Sequence, residues 1–270
     1  MKDILRAPFI EALAETCSNM YRLGWDERNG GNISYLLDEE QVREYLDPVV
    51  VLRLIPLSFD AKELAGRIFL VTGTGKYFKN VPGDPEDTLG IVRIAESGMS
   101  AELLWGLRDG GRFTSEFPAH MMSHRARMTV DSENHVVMHC HSTDIIAMTH
   151  VHDLNEKEFT KTLWRMCTEC MLAFPDGINV LPWMPCGTEK IGLATAEKMI
   201  TAHMVVWAQH GVYATGRTLD EAFGLIETAD KAAAIYLKIA HLHIMNRLSD
   251  EDLRQLAAQF KVQPRAGYLD

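Results

Sequence analysis

Short apolar runs with β character recur along this chain in closely spaced pairs, with helix-period segments between them, and that alternation narrows the fold more than any other feature. Residues 33–37, 49–57 and 68–72 read as strands, and 90–95 with 100–107 read as a hairpin turning at Ser97-Gly98. Residues 135–141, 178–181 and 204–209 are further strand runs. Phe9, Leu13, Cys17 and Met20 recur at helical spacing in a segment opened by Pro8 and ended by Gly24, which predicts a helix over 8–23. Other helices are expected from Pro118 to about residue 129, over 156–168, over 219–243 behind a Thr218–Glu221 capping box, and after Ser249. Strands close in sequence pair antiparallel, and the helices must bury their apolar stripes against the sheet. The expectation is an α/β chain forming a single domain, residues 1–270, with a mostly antiparallel central β-sheet between α-helical layers.

A formal net charge of −10 argues against a nucleic-acid partner, which calls for a basic stripe. It leaves a phosphorylated ligand open, because one phosphate needs only a local nest of donors. Arg6, Pro8, Glu11 and Glu15 interrupt the first twenty residues, unlike a signal peptide, and no later run approaches the length of a membrane span. Five cysteines, odd in number and irregular in spacing, do not form a disulfide framework and point to a reducing cytoplasm. Cys167 and Cys170 make a lone C-x-x-C with no second pair to complete a structural zinc site, so they read as packed thiols.

His139-Cys140-His141 closes one of the β runs. Side chains alternate along a strand, so both imidazoles project to one face and Cys140 to the other. Two imidazoles on one face suit zinc, and His210, in AQHG after another apolar run, supplies a third. Three histidines without a fourth protein ligand leave an open coordination position, as catalytic zinc requires. His150 and His152 repeat the H-x-H spacing but precede an acidic polar stretch and read as surface. His120 and His124 share a helix face, yet the H-E-x-x-H pattern is absent.

VTGTGK, residues 71–76, lacks the glycine and hydroxyl positions of a P-loop, since Leu70 and Tyr77 stand there. It can still form either an anion nest or a plain glycine turn. RNGGN, residues 28–32, is the same kind of signal with Asn29 and Asn32 as added donors. Thr114 and Ser115 precede a helix start, where free N–H groups favour phosphate. Glu116, taken alone, reads as a helix-cap acid. A three-histidine metal, several anion nests and a carboxylate together suit a phosphorylated carbonyl compound with acidified α-protons.

These motifs resemble the class II aldolase/adducin family over nearly the whole chain. GWDERNGGN, VTGTGK, LGIV, LWGL, TSE-x-PAH, MHCH, TEC, FPDG, LPWM, IG-x-ATA, HGV and TLDE-x-FGLI-x-TA carry the resemblance. WDERNGGN, LPWM and the TEC–FPDG stretch point to the branch acting on L-rhamnulose 1-phosphate, whereas 38–67, 150–160 and the far C-terminus are less similar. The resemblance implies one Zn2+ per subunit on His139, His141 and His210, and Glu116 as catalytic acid/base. It implies substrate and phosphate contacts at or beside Asn29, Asn32, Thr74, Gly75, Thr114 and Ser115, with Thr74 standing where serine is more usual. It implies a second catalytic carboxylate at Glu169, offered to a neighbouring subunit of a four-fold homotetramer. Glu169 lies among small and apolar residues, CTECMLAF, where an exposed solubilising charge is not expected, so it needs a partner such as Arg165 or a role.

The implied reaction is reversible cleavage of L-rhamnulose 1-phosphate to dihydroxyacetone phosphate and L-lactaldehyde, in rhamnose catabolism. Lys76 and Lys79 sit in no apolar run that would depress a pKa, which argues against a Schiff-base route. L-fuculose-phosphate aldolase and pentulose-5-phosphate 4-epimerase activities are the near alternatives. A non-catalytic adducin-like interaction module is the remote one, and it has no use for intact histidines and Glu116.

Overall fold

The computed structural model describes residues 1–269. Its strands are β1 (Asn32–Leu37), β2 (Arg53–Pro56), β3 (Ile68–Thr72), β4 (Leu89–Ile94), β5 (Ser100–Gly106), β6 (Val136–Cys140), β7 (Asn179–Leu181), β8 (Met204–Trp207) and β9 (Gly211–Gly216). They form one sheet in the order β2-β5-β4-β3-β1-β6-β9-β8-β7. Every pairing is antiparallel except β7 with β8. The mostly antiparallel sheet is therefore as expected.

The helices are α1 (Pro8–Arg22), α2 (Glu39–Arg43), α3 (Pro85–Thr88), α4 (Phe117–Met128), α5 (Thr143–Val151), α6 (Glu156–Met166), α7 (Thr168–Ala173), α8 (Glu189–Met199), α9 (Leu219–Ile239) and α10 (Asp250–Phe260). Side-chain alternation along the strands divides the interior in two. Ile33, Met138, Val212 and Met204 face a core shared with Phe9 of α1, Trp164 of α6 and Ile226 of α9. Val137, Val205, Trp207 and Tyr213 face the opposite core, shared with Phe117 and Met121 of α4 and Ile191 of α8. His139, between Met138 and Cys140 of the first core, turns to this second face.

Local chemistry sets most boundaries. Pro8 opens α1, and Gly24 adopts φ +76° just beyond its end. Ser249 and Asp252 form a reciprocal capping box on α10. The expected box on α9 forms only by half. Thr218 accepts from the Glu221 N–H, but the Glu221 carboxylate reaches back to the N–H of Arg217 rather than that of Thr218. Helix α9 also stops at Ile239, short of 243. The strand expected over 49–57 shrinks to Arg53–Pro56, because Val49 to Leu52 lie exposed before the edge of the sheet.

Candidate active site

One row across three strands builds the floor of the site. Asn32 of β1 pairs with His139 of β6, and His139 pairs with Tyr213 of β9. Directly paired residues point their side chains to the same face. The Tyr213 ring consequently stacks on His139, with centroids 4.4 Å apart, while Trp207 packs against both His139 and His210. The tight turn between β8 and β9 puts His210 beside them: its N–H donates to the Trp207 carbonyl, and Gln209 takes φ +58°. Gly211 follows because nothing larger fits. A Cβ there would stand 2.3 Å from the Cys140 carbonyl oxygen and 2.8 Å from His139 Cε1.

His139, His141 and His210 thus come together, with their ligand nitrogens all within 4.8 Å of one another. Donor accounting fixes which nitrogens are free. His139 Nδ1 lies 3.1 Å from the Val212 carbonyl, and His141 Nδ1 lies 2.8 Å from a Glu27 carboxylate oxygen. Both partners only accept, so both Nδ1 atoms carry hydrogen and both Nε2 lone pairs are exposed for coordination. His139 Nε2 is buried without any hydrogen-bond partner, a state that a ligated cation relieves. Burial, with His141 and His210 beside it, drives the His139 pKa well below its usual value, and burial likewise lowers that of His210. Neutral imidazole is the form that binds metal. The donor set fits zinc.

Glu116 is not a helix cap. It occupies the N-cap position of α4, yet its side chain makes no capping bond. Its Oε2 accepts instead from Asn32 Nδ2 at 3.0 Å and from the Tyr213 hydroxyl at 2.7 Å. Oε2 lies 3.6 Å from His139 Nε2, and Oε1 lies 3.9 Å from His210 Nε2.

A pocket of about 280 Å³ opens over this cluster. Its walls are the loops 27–32, 73–75 and 114–116, with His141, His210 and the exposed Cys186. Asn29, Asn32, Thr74, Gly75, Thr114, Ser115 and Glu116 therefore all meet at one place. The two Thr-bearing loops are laced together: Thr74 N–H donates to Arg112 and Thr114 N–H to Thr72. Those two residues thus offer hydroxyls to a ligand rather than backbone N–H groups. Lys76 Nζ is held 2.7 Å from both Asp87 oxygens, in accord with its exclusion as a Schiff-base lysine.

Glu169 requires a correction. The apolar run around it predicts a sheltered carboxylate, but on α7 it is exposed and bonded to the Cys167 thiol. Arg165 pairs with Asp250, and Glu169 is not among the residues lining the pocket of its own chain. The reading of His150 and His152 as surface holds for exposed His150. His152 is half-buried between the Phe159 and Tyr236 rings and bonds Thr162. Cys170 is buried and Cys167 partly so, as packed thiols.

Tyr213, Glu27 and Cys186 belong to the site and were not foreseen. Tyr213 carried a faint signal, lying two residues after Gly211 in a segment that returns beside His139. Glu27 stood within the WDERNGGN motif without being singled out, and Cys186 carried no signal, because both reach the site through loops folding over the strand ends.

Residues 11–237 match the family described as Class II Aldolase and Adducin N-terminal domain. A rhamnulose-1-phosphate aldolase of Listeria monocytogenes is 55% identical over 270 residues, covering 100% of this chain and 99% of that one. A protein of the same name from Enterococcus faecalis is 55% identical over 99% of this chain and 96% of its own. The crystal structure of a sugar-phosphate aldolase from Thermotoga maritima superposes with a TM-score of 0.75 at 28% identity, covering 88% of this chain and 97% of that one.

Proposed function

The chain belongs to the class II aldolase and adducin family, and from that premise we propose that its pocket carries out metal-dependent, reversible cleavage of L-rhamnulose 1-phosphate to dihydroxyacetone phosphate and L-lactaldehyde. The observation that carries this reading is the three-imidazole cluster set against a carboxylate that Asn32 and Tyr213 hold. The substrate choice rests on the full-length relatives, which are rhamnulose-1-phosphate aldolases.

In this reading His139, His141 and His210 hold one zinc ion. When bound, the metal supplies Lewis-acid stabilisation of the negative charge that cleavage leaves on the substrate oxygens. The hydroxyls of Thr74, Thr114 and Ser115, with Asn29 and the Gly75 backbone, receive the phosphate at the mouth of the pocket and at the start of α4. Breaking C3–C4 leaves an electron pair on C3, and Glu116 delivers a proton there. In condensation Glu116 removes it. Two donors fix Oε2, so Oε1 is the oxygen turned to that work. A positioned acid or base of this kind contributes roughly 10²–10⁴-fold.

The proton on the C4 hydroxyl needs a second acceptor. We assign it to Glu169 of a neighbouring subunit in a four-fold homotetramer, and its exposure on α7 suits a group that works across an interface. The same reading treats residues 1–270 as one domain and places the protein in the cytoplasm. Among the described residues no helix is long and apolar enough to cross a membrane, and the cysteines are free thiols.

The test is a panel of phosphorylated ketoses with detection of dihydroxyacetone phosphate, with and without a chelator. Rhamnulose 1-phosphate should turn over fastest, and metal removal should abolish turnover reversibly. Faster turnover of a fuculose or pentulose phosphate would overturn the substrate choice.

A further inference from the structure

We propose that the buried series His124–Ser34–His120–Asn32 is a positioning device for Glu116: it sets the polarity of the Asn32 amide and so holds the carboxylate in one orientation for proton transfer. This rests on the reading of Glu116 as the group that moves the proton.

Two regular elements create the series. Glu116, His120 and His124 stand one turn apart along α4, on one stripe. Asn32 and Ser34 alternate onto the facing side of β1. The contacts run without a break. His124 Nε2 lies 2.8 Å from Ser34 Oγ, Ser34 Oγ lies 2.7 Å from His120 Nδ1, and His120 Nε2 bonds Asn32 Oδ1. Asn32 Nδ2 then donates to Glu116 Oε2 at 3.0 Å. Ser34, His120 and His124 are fully buried, at 0% exposure, and none of them lines the pocket. Their hydrogen-bonded link to the chemistry is through Asn32, and the His120 ring also packs edge-on against Tyr213, with centroids 5.5 Å apart.

Only one direction of donation is consistent along the series. The carboxylate accepts, so the Asn32 nitrogen must face it and the Asn32 oxygen must face His120. His120 Nε2 then carries the hydrogen. Burial lowers the His120 pKa to about 3, so the ring is neutral and its Nδ1 is bare. Ser34 donates to that Nδ1, and its oxygen accepts from His124 Nε2–H. The neutral His124 ring is left with a bare Nδ1, and that atom is buried with no partner. Reversal would bury an unpaired N–H there and turn the Asn32 carbonyl toward a carboxylate. A buried orphan donor is rarer than a buried orphan acceptor, so both ends of the series select the same direction. The Asn32 nitrogen keeps a second hydrogen for an oxygen in the pocket.

A polar network that merely ties α4 to β1 would serve stability alone. The two roles separate in the metal-loaded enzyme. His120→Leu keeps bulk and removes the donor, whereas His120→Gln can return an amide N–H near the place of Nε2. We expect His120→Leu to lower kcat by about tenfold or more, with KM within about threefold and zinc content unchanged. His120→Gln should recover most of the loss, and Ser34→Ala should fall between the two. In a Glu116→Gln background, His120→Leu should cost nothing further in kcat. Equal losses in the Leu and Gln variants, or full additivity with Glu116→Gln, would overturn the inference. If His120→Leu does not fold, Ser34→Ala decides alone: wild-type kcat in that variant overturns the inference, and a fall in kcat that vanishes in the Glu116→Gln background upholds it. A Glu116→Gln enzyme that keeps its turnover would sink the Glu116 reading itself, and this inference with it. An inactive Glu116→Gln enzyme beside an unaffected His120→Leu enzyme would sink the inference alone.

Discussion

Both donors that hold Glu116 reach the same oxygen, Oε2, one from an amide and one from a phenol. Burial pushes the Tyr213 phenol well above its usual pKa, so it stays a donor through the working range. Glu116→Gln keeps the shape and removes the exchangeable proton. It should retain zinc and fold while turnover falls by about 10²-fold or more. His139→Ala should show the opposite pattern, losing the metal outright, because two remaining imidazoles leave zinc short of ligands. Metal analysis and turnover on the two variants side by side check the division of roles. A zinc-replete His139→Ala protein, or a Glu116→Gln enzyme within threefold of wild type, would refute it.

At the scale of elements, the precision of the histidine cluster comes from how closely β6 and β9 approach. Gly211 permits that approach, since a Cβ would press on the Cys140 carbonyl and the His139 ring. Gly211→Ala should therefore cost about 1–3 kcal/mol of stability by overpacking. It should also weaken zinc binding by about tenfold or more, although Gly211 is no ligand, because ring orientation sets affinity. Gly224 in α9 is the control: a Cβ there meets nothing within 4 Å. Gly224→Ala should hold or raise stability and leave zinc affinity alone. Thermal melts and competitive chelator titrations read both effects, and equal behaviour of the two variants would show that the close approach is unimportant.

For the molecule as a whole, buried ionisable groups set the pH dependence of folding. Burial holds His120, His124 and His139 neutral, with pKa values below the ordinary 6.5. Below 6.5 the unfolded chain binds protons that these folded rings refuse, so stability falls as pH drops, by up to about 1.4 kcal/mol per group per pH unit. Asp26 acts in the other direction. Burial, with Glu27 nearby, raises its pKa from 3.8 to about 8. Between those values the unfolded carboxyl is ionised and the folded one is not, so its contribution falls as pH rises and levels off above about 8. Urea midpoints of the metal-free protein should peak near pH 6.5, and Asp26→Asn should flatten the alkaline side. A profile still rising from pH 6.5 to 8 would contradict this. Assembly is tested separately, by mixing inactive Glu116→Gln subunits with inactive Glu169→Ala subunits. Activity should return in verified mixed tetramers, where some interfaces carry both intact carboxylates, and no recovery would remove Glu169 from the partner's site.

What the sequence settled by itself was whatever depends on near neighbours. Strand alternation put His139 and His141 on one face, because a period of two is a local property of extended backbone. Pro8, Gly24 and Ser249 marked helix ends through φ preference and capping. Helices α2, α3, α5, α7 and α8 have no counterpart among the segments expected to be helical. TDIIAMTHV has apolar residues around its circumference, and EKIGLATAEKM is too rich in small residues to show a stripe. Tertiary structure decided the meaning of Glu116, which locally is indistinguishable from a cap. Only the pairing of β1 with β6 and of β6 with β9 brings Asn32 and Tyr213 to its oxygen, from positions 84 and 97 residues away. His120 and His124 show the same limit. Their helical spacing was visible, but Ser34, the group that gives them direction, arrives from a strand 86 residues earlier than His120. Hydrogen-bond polarity is a property of the closed set of partners, and that set exists only when the sheet and α4 have come together.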